Sequence, residues 1–212
     1  MCHCYIRMLS VSPGSERDTD ATTERIVDAA YRELLDFGVR RVSVDNIAKK
    51  AAVARITVYR RFANRDELLA AVAVREGTRL FERVDAVIAE QGSTADQLVE
   101  GFVTIFHAVR THPLVKRTLA SEPDVAVAWL TAQAGPIIGL ARDYLAAHLA
   151  DAQRRRRLAA FDQRPVAELI VRLAASFVLT ADSCIPMKTN DDVRAFARTY
   201  LLPMIPTGGR RS

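Results

Sequence analysis

A chain of 212 residues, 50% hydrophobic and 26% charged, holds enough apolar material for one large core or two smaller ones. No apolar run approaches the roughly 18 residues needed to cross a bilayer. Cys2 and Cys4 flank His3 while Cys184 stands alone, which is neither a disulfide framework nor a paired metal motif, so a reducing cytoplasm, no membrane contact, no metal and no cofactor are expected. The formal charge of +5 is concentrated: between Gly38 and Arg65 stand eight cations (Arg40, Arg41, Lys49, Lys50, Arg55, Arg60, Arg61 and Arg65) against the single anion Asp45, a local net of +7. Such a window suits a polyanionic partner.

Residues 1–20, rich in Ser, Pro, Gly and charge towards their end, read as a disordered arm. A first helix is expected from a cap at Thr22 or Thr23. It carries the apolar stripe Ile26, Ala29, Ala30, Leu34 and Phe37 and stops at Gly38, which tolerates a left-handed exit. Ser43 then caps a short helix over Val44 to Ala51, with Asn46 where a capping box would carry Glu. After a break at Ala52 and Val53, a second short helix is expected from Ala54 to Phe62. Asn64, Asp66 and Glu67 open a longer one reaching about Glu90.

Further helices are expected at about Thr94 to Thr111, Pro113 to Ser121, Pro123 to Arg155, Pro165 to Ser183 and Asn190 to Tyr200. Pro136 falls inside the third of these and should kink or split it. Residues 206–212 read as a frayed tail. No stretch alternates apolar with polar for long, so the fold class is all-α. Residues 21–68 form a helix-turn-helix domain of three short helices, followed by a helical domain over 69–205.

Within the basic window, Ile47, Ala48, Ala51, Val53, Val58 and Phe62 are small or apolar where two short helices must cross closely. Val58 and Phe62 lie four apart on one face. That leaves Arg55, Ile56, Thr57, Tyr59 and Arg60 on the other, free to enter a groove. The order Ile47, Ala48, Ala51, Ala52, Val53, Ala54, then Thr57, Tyr59, Phe62, Asn64, Arg65 and Leu68 resembles the helix-turn-helix of the tetracycline-repressor (TetR) family. The likeness runs from Thr22 to Leu69. Ala52 replaces the usual turn Gly, Ala54 the usual Ser cap, and Arg65 the usual Lys.

The resemblance implies a DNA-binding regulator that pairs as a homodimer through its last two long helices and grips a pseudo-palindromic operator until a small apolar effector releases it. Tyr59, Ser43 and Arg65 are then expected on phosphates, with Lys49 and Lys50 adding salt-dependent attraction. Arg55, Thr57 and Arg60 are the candidates for base edges. The dimer surface is expected on Val166, Leu169, Ile170, Leu173 and Phe177, with Val193, Phe196, Ala197, Tyr200 and Leu201. An effector pocket is expected among Phe102, Phe106, Val109, Trp129, Ala132, Ile137, Leu140 and Tyr144, with Phe102, Phe106, Trp129 and Tyr144 as the principal ligand residues.

Two other readings stand beside this one. The arginine run Arg154 to Arg157 reads as a solvated helix end. The basic window alone would also fit a non-specific DNA-binding protein. An enzyme is not expected, because the chain has no G-x-S-x-G, H-E-x-x-H or phosphate-binding Gly loop.

Overall fold

The computed structural model describes residues 16–130, 135–180 and 182–206. The arm up to residue 15 with Cys2, His3 and Cys4, Ala132, and the tail from residue 207 lie outside these. Every regular element among the described residues is helical, in the order α1 (Glu16–Phe37), α2 (Val44–Lys50), α3 (Arg55–Tyr59), α4 (Arg65–Ala89), α5 (Thr94–Thr111), α6 (Pro113–Ser121), α7 (Pro123–Leu130), α8 (Gly135–Arg154), α9 (Gln163–Leu179) and α10 (Asn190–Phe196). The chain divides into two compact units between Val74 and Arg75.

The first unit is built on the stripe of α1. Ile26, Ala29, Ala30 and Leu34 are buried with Ile47, Ala48 and Ala51 of α2, Val58 and Phe62 of the α3 segment, and Leu68, Leu69 and Val72 of α4. α1 starts at Glu16, ahead of the expected Thr cap. Its exit is the expected one: Gly38 has φ of 81° and its N–H donates to the Leu34 carbonyl at 3.0 Å. Phe37, counted on the apolar stripe, is instead 47% exposed, and the Lys50 ammonium stands 5.3 Å from its ring centroid. The Phe37 side chain lies outside the core that Leu34 enters, and a cation covers its ring.

In the second unit α8 and α9 pack along each other, α10 lies on α5, and α6 and α7 form a pair. The core gathers Val99, Val103 and Phe106 of α5, Ala146 and Leu149 of α8, Ala167 and Ile170 of α9, and Val193, Phe196, Ala197 and Leu201 at the C-terminal end. The long helix expected from Pro123 is two helices, and Pro136 stands in the first turn of α8. There its missing N–H breaks no intrahelical bond.

α10 opens with a capping box in which Thr189 and Asp192 satisfy each other's backbone N–H groups. It widens into a π-helical turn over Ala197–Leu201 before Pro203, which has no N–H to donate back. Two ion pairs fasten it to α5, Arg194 to Glu100 at 2.6 Å and Arg198 to Asp96 at 2.6 Å. The arginine run ends α8: Arg156 takes φ of 56°, and the Arg156 and Arg157 N–H groups close on the Gln153 and Ala152 carbonyls at 2.8 and 2.9 Å. This is a helix-terminating turn, with Asp151 paired to Arg154 and Arg155.

Candidate nucleic-acid interface

Local rules set the two short helices. The Ser43 hydroxyl accepts from the Asn46 N–H at 3.4 Å, capping α2 as expected. The Asn46 side chain, which a capping box would turn back to Ser43, donates its Nδ2 to Glu33 Oε1 at 2.9 Å. Glu33 has no exposed surface, and its other oxygen lies 2.7 Å from Lys50 Nζ. One buried carboxylate on α1 thus holds both ends of α2. A carboxylate inside an otherwise apolar stripe was the readable signal, and its partners were not, because they come from another helix.

The turn answers the question raised by Ala52. It adopts the left-handed geometry, φ 53°, and its N–H donates to Lys49 O at 3.1 Å while Val53 N–H donates to Ala48 O at 3.0 Å. Those two bonds close the Schellman motif that a glycine would normally serve. Ala54 leads into α3 with no side-chain cap.

α3 has one buried and one exposed face. Val58 and Phe62 are buried, whereas Ile56 is 66% and Tyr59 38% exposed; Arg55 and Arg60 are exposed and Thr57 is half-buried. Arg60 and Lys49 form no ion pair or side-chain hydrogen bond with any described residue. Arg55 does: its Nη1 lies 3.0 Å from Asp45 Oδ1, its Nη2 donates to the Tyr59 hydroxyl at 3.4 Å, and its guanidinium stands 5.5 Å from the Tyr59 ring centroid. The Tyr59 hydroxyl, with Asp45 beside it, pushes the Arg55 pKa further up.

The +7 of the window is therefore not all available to a polyanion. Lys50 is neutralised by Glu33 and by Asp36 at 2.6 Å, and the hydrogen bonds to Asp36 and then Glu33 raise its pKa. Arg61 donates to the Thr23 hydroxyl of α1 at 2.9 Å. Arg65 donates to the Val39 carbonyl at the start of α4, where the Asn64 side chain accepts from the Glu67 N–H at 2.8 Å. On α3 and the end of α2 the exposed side chains include Lys49, Arg55, Tyr59 and Arg60, with half-buried Thr57 among them and Ser43 at the neighbouring helix start; Arg40 and Arg41 are exposed before α2, and Lys50 and Arg65 also serve the internal frame.

Family models match both parts of the chain: bacterial regulatory proteins of the tetR family over residues 26–72, and the bacterial tetracyclin repressor C-terminal domain over residues 93–198. An uncharacterized HTH-type transcriptional regulator of Mycobacterium bovis is 31% identical over 82% of this chain and 87% of its own. The chain is a TetR-family transcriptional regulator. Two solved structures share the fold of this TetR-family chain. The TetR-family repressor AlkX from a Dietzia strain, implicated in biodegradation of n-alkanes, superposes with a TM-score of 0.63 at 24% identity, covering 86% of this chain and 94% of that one. RolR in complex with resorcinol gives 0.65 at 16% identity, covering 90% of each.

In the second unit of this TetR-family chain Phe102 and Phe106 pack together and Tyr144 packs apart from them. Phe106 is buried and stacks on Phe102 at 5.9 Å between ring centroids, and Phe102 meets Phe196 at 6.0 Å; both belong to the core, because α10 folds back over α5. Tyr144 forms a separate cluster, stacked on Phe81 at 4.0 Å with its hydroxyl 2.6 Å from Asp85. Ile137 and Leu140 are 47% and 39% exposed. The Trp129 side chain lies outside the described residues. Two cavities of this unit are lined by other residues, one between α4, α5 and the start of α10, the other around Cys184.

The stripe expected on the last element is mostly covered by its own chain. Val193, Phe196, Ala197 and Leu201 are buried within the chain, leaving Tyr200 exposed. The exposed apolar side chains of the long helices are instead Ile137 and Leu140 on α8 with Leu169 and Leu173 on α9. Periodicity alone makes a core stripe and an interface stripe look the same.

Proposed function

We propose that this TetR-family regulator is a repressor, not a catalyst. It acts in the cytoplasm as a homodimer, holds a pseudo-palindromic operator with α3 and the start of α2, and lets go when a small molecule binds the second unit. The exposed face of α3 carries this reading: Arg55, Tyr59 and Arg60 stand outward beside Lys49 while Val58 and Phe62 seal the back. A two-fold pair of such faces reads two half-sites about one helical turn apart. Tyr59, Ser43, Lys49, Lys50 and Arg65 act on phosphates, and Arg55, Thr57 and Arg60 read base edges.

Pairing through α8 and α9 buries Leu169, Leu173, Ile137 and Leu140, which otherwise leave four large apolar side chains in water. A small-molecule input is supported by the size of the second unit and by the relatives, one a repressor implicated in n-alkane degradation and one holding resorcinol.

The test is selection of random duplex DNA on the folded protein at physiological salt, with sequencing of the retained fraction. Enrichment of an inverted repeat supports the reading. Uniform retention of all duplexes, collapsing steeply with salt, identifies a non-specific basic binder instead.

A further inference from the structure

An open cleft of the second unit, about 460 Å³, lies within the size range of small-molecule sites. Its polar lining includes Arg83 of α4, Glu100, His107 and His112 around α5, and Asn190 and Arg194 of α10, with the hydroxyl residues Thr104 and Thr111 of α5. Val103, Ala108 and Pro113 supply an apolar part of the wall. None of the aromatic residues Phe102, Phe106 and Tyr144 lines it.

The charges in this cavity do not cancel. Glu100, its single lining carboxylate, already accepts two bonds from Arg194, at 2.6 and 3.0 Å, and that guanidinium holds the Glu100 pKa below its ordinary value. Arg83 forms no ion pair or hydrogen bond with any described residue. One solvent-exposed guanidinium on the wall of the cleft is therefore without an ion-pair partner among the described residues, with two imidazoles on the same wall. An anion is the ligand that such a lining favours, and a guanidinium fork matches a carboxylate in both geometry and charge. Because part of the wall is apolar, the anion needs an apolar body.

We infer that this cavity binds a small organic carboxylate, its head group on Arg83 and its apolar body against Val103 and Pro113. The inference deepens the small-molecule response proposed above and rests on it for its regulatory meaning. Arg83 sits on α4, whose first turns bury Leu68, Leu69 and Val72 in the DNA-binding unit. His112, also on the cavity wall, approaches Glu76 of α4 at 3.6 Å. A ligand held by Arg83 thus grips the helix that continues into the operator-binding unit.

The experiment is calorimetric titration of the full-length protein with benzoate, phenylacetate, hexanoate and octanoate, each beside its neutral amide, and with inorganic phosphate. At least one carboxylate is expected to saturate one site per chain, with its amide binding about tenfold or more weakly. Arg83→Gln is expected to remove that preference, Arg83→Lys to restore part of it, and Arg172→Gln, on the exposed face of α9, to leave it intact. Thermal melting checks that each variant is folded. No saturation by any carboxylate up to about 10 mM overturns the inference, as does an amide or phosphate binding equally well, or affinity indifferent to Arg83. Operator release is read separately by fluorescence anisotropy. Carboxylate binding without release upholds the site while sinking the regulatory reading, so the two fail in distinguishable ways.

Discussion

Asn46 of α2 donates its side-chain N–H to Glu33 of α1 at 2.9 Å, and that carboxylate has no exposed surface. A buried charge is tolerated only when it is hydrogen-bonded and paired, and Lys50 completes the pairing at 2.7 Å. Glu33→Ala should therefore cost the protein about 2 to 4 kcal/mol in denaturant unfolding, since it leaves Asn46 without its acceptor and opens a void. Glu33→Gln, which keeps an acceptor for Asn46, should cost less. Equal losses for the two would show that the hydrogen bond contributes little.

Asp45 occupies Arg55 before any DNA arrives, at 3.0 Å. Both groups are more than half exposed, so the pair contributes little to stability. Its effect is on binding: Asp45→Asn should free Arg55 and remove one repulsive charge from the phosphate path. Affinity for unrelated duplexes should rise at low salt, and the slope of log affinity against log salt should steepen by about one. An unchanged slope would mean that Arg55 stays off the DNA.

Arg60 and Tyr59 separate base reading from positioning. Arg60→Ala should cost about 1 to 3 kcal/mol on the selected operator and relax one position of it, whereas Tyr59→Phe should weaken all duplexes by a similar factor. Sequence preference that survives Arg60→Ala would remove Arg60 from the base-reading set.

Ala52 holds φ of 53°, a left-handed geometry that costs a residue with a Cβ roughly 1 to 2 kcal/mol. Glycine avoids that strain and gives back part of the gain as unfolded-chain entropy. Ala52→Gly is expected to stabilise the first unit by about 0.5 to 1 kcal/mol, read as a shift in denaturation midpoint at constant m-value. A loss of stability would indicate that the turn is not under strain.

Leu169 and Leu173 share one face of α9 and are 52% and 38% exposed in the single chain. Replacing both with Glu should leave the fold intact and yield a monomer in sedimentation velocity. Operator affinity should fall sharply, because one head then binds one half-site. A dimer that persists would place the interface elsewhere.

The two short helices and their groove face were legible because their determinants are local. Ser43 caps by its own chemistry, Val58 and Phe62 share a face by helical period, and Gly38 exits a helix because it lacks a Cβ. The ligand residues were not legible. Phe102, Phe106 and Tyr144 look alike in sequence, yet two stack inside a core under Phe196 while the third faces Phe81 on α4. Val193 and Leu169 both recur at helical spacing, yet Val193 is covered by its own chain and Leu169 is exposed.

By itself the sequence determined the all-helical class, the Ser43 cap, the Gly38 exit and the exposed basic face of α3, since caps, turn geometry and charge order act within a few residues. The tertiary structure alone decided which of those cations stay available and which apolar stripes become core. Asp45 meets Arg55, Glu33 meets Lys50 and Glu100 meets Arg194 across ten, seventeen and ninety-four positions of chain. Pairings of that kind depend on how helices pack, and no local rule of spacing encodes it.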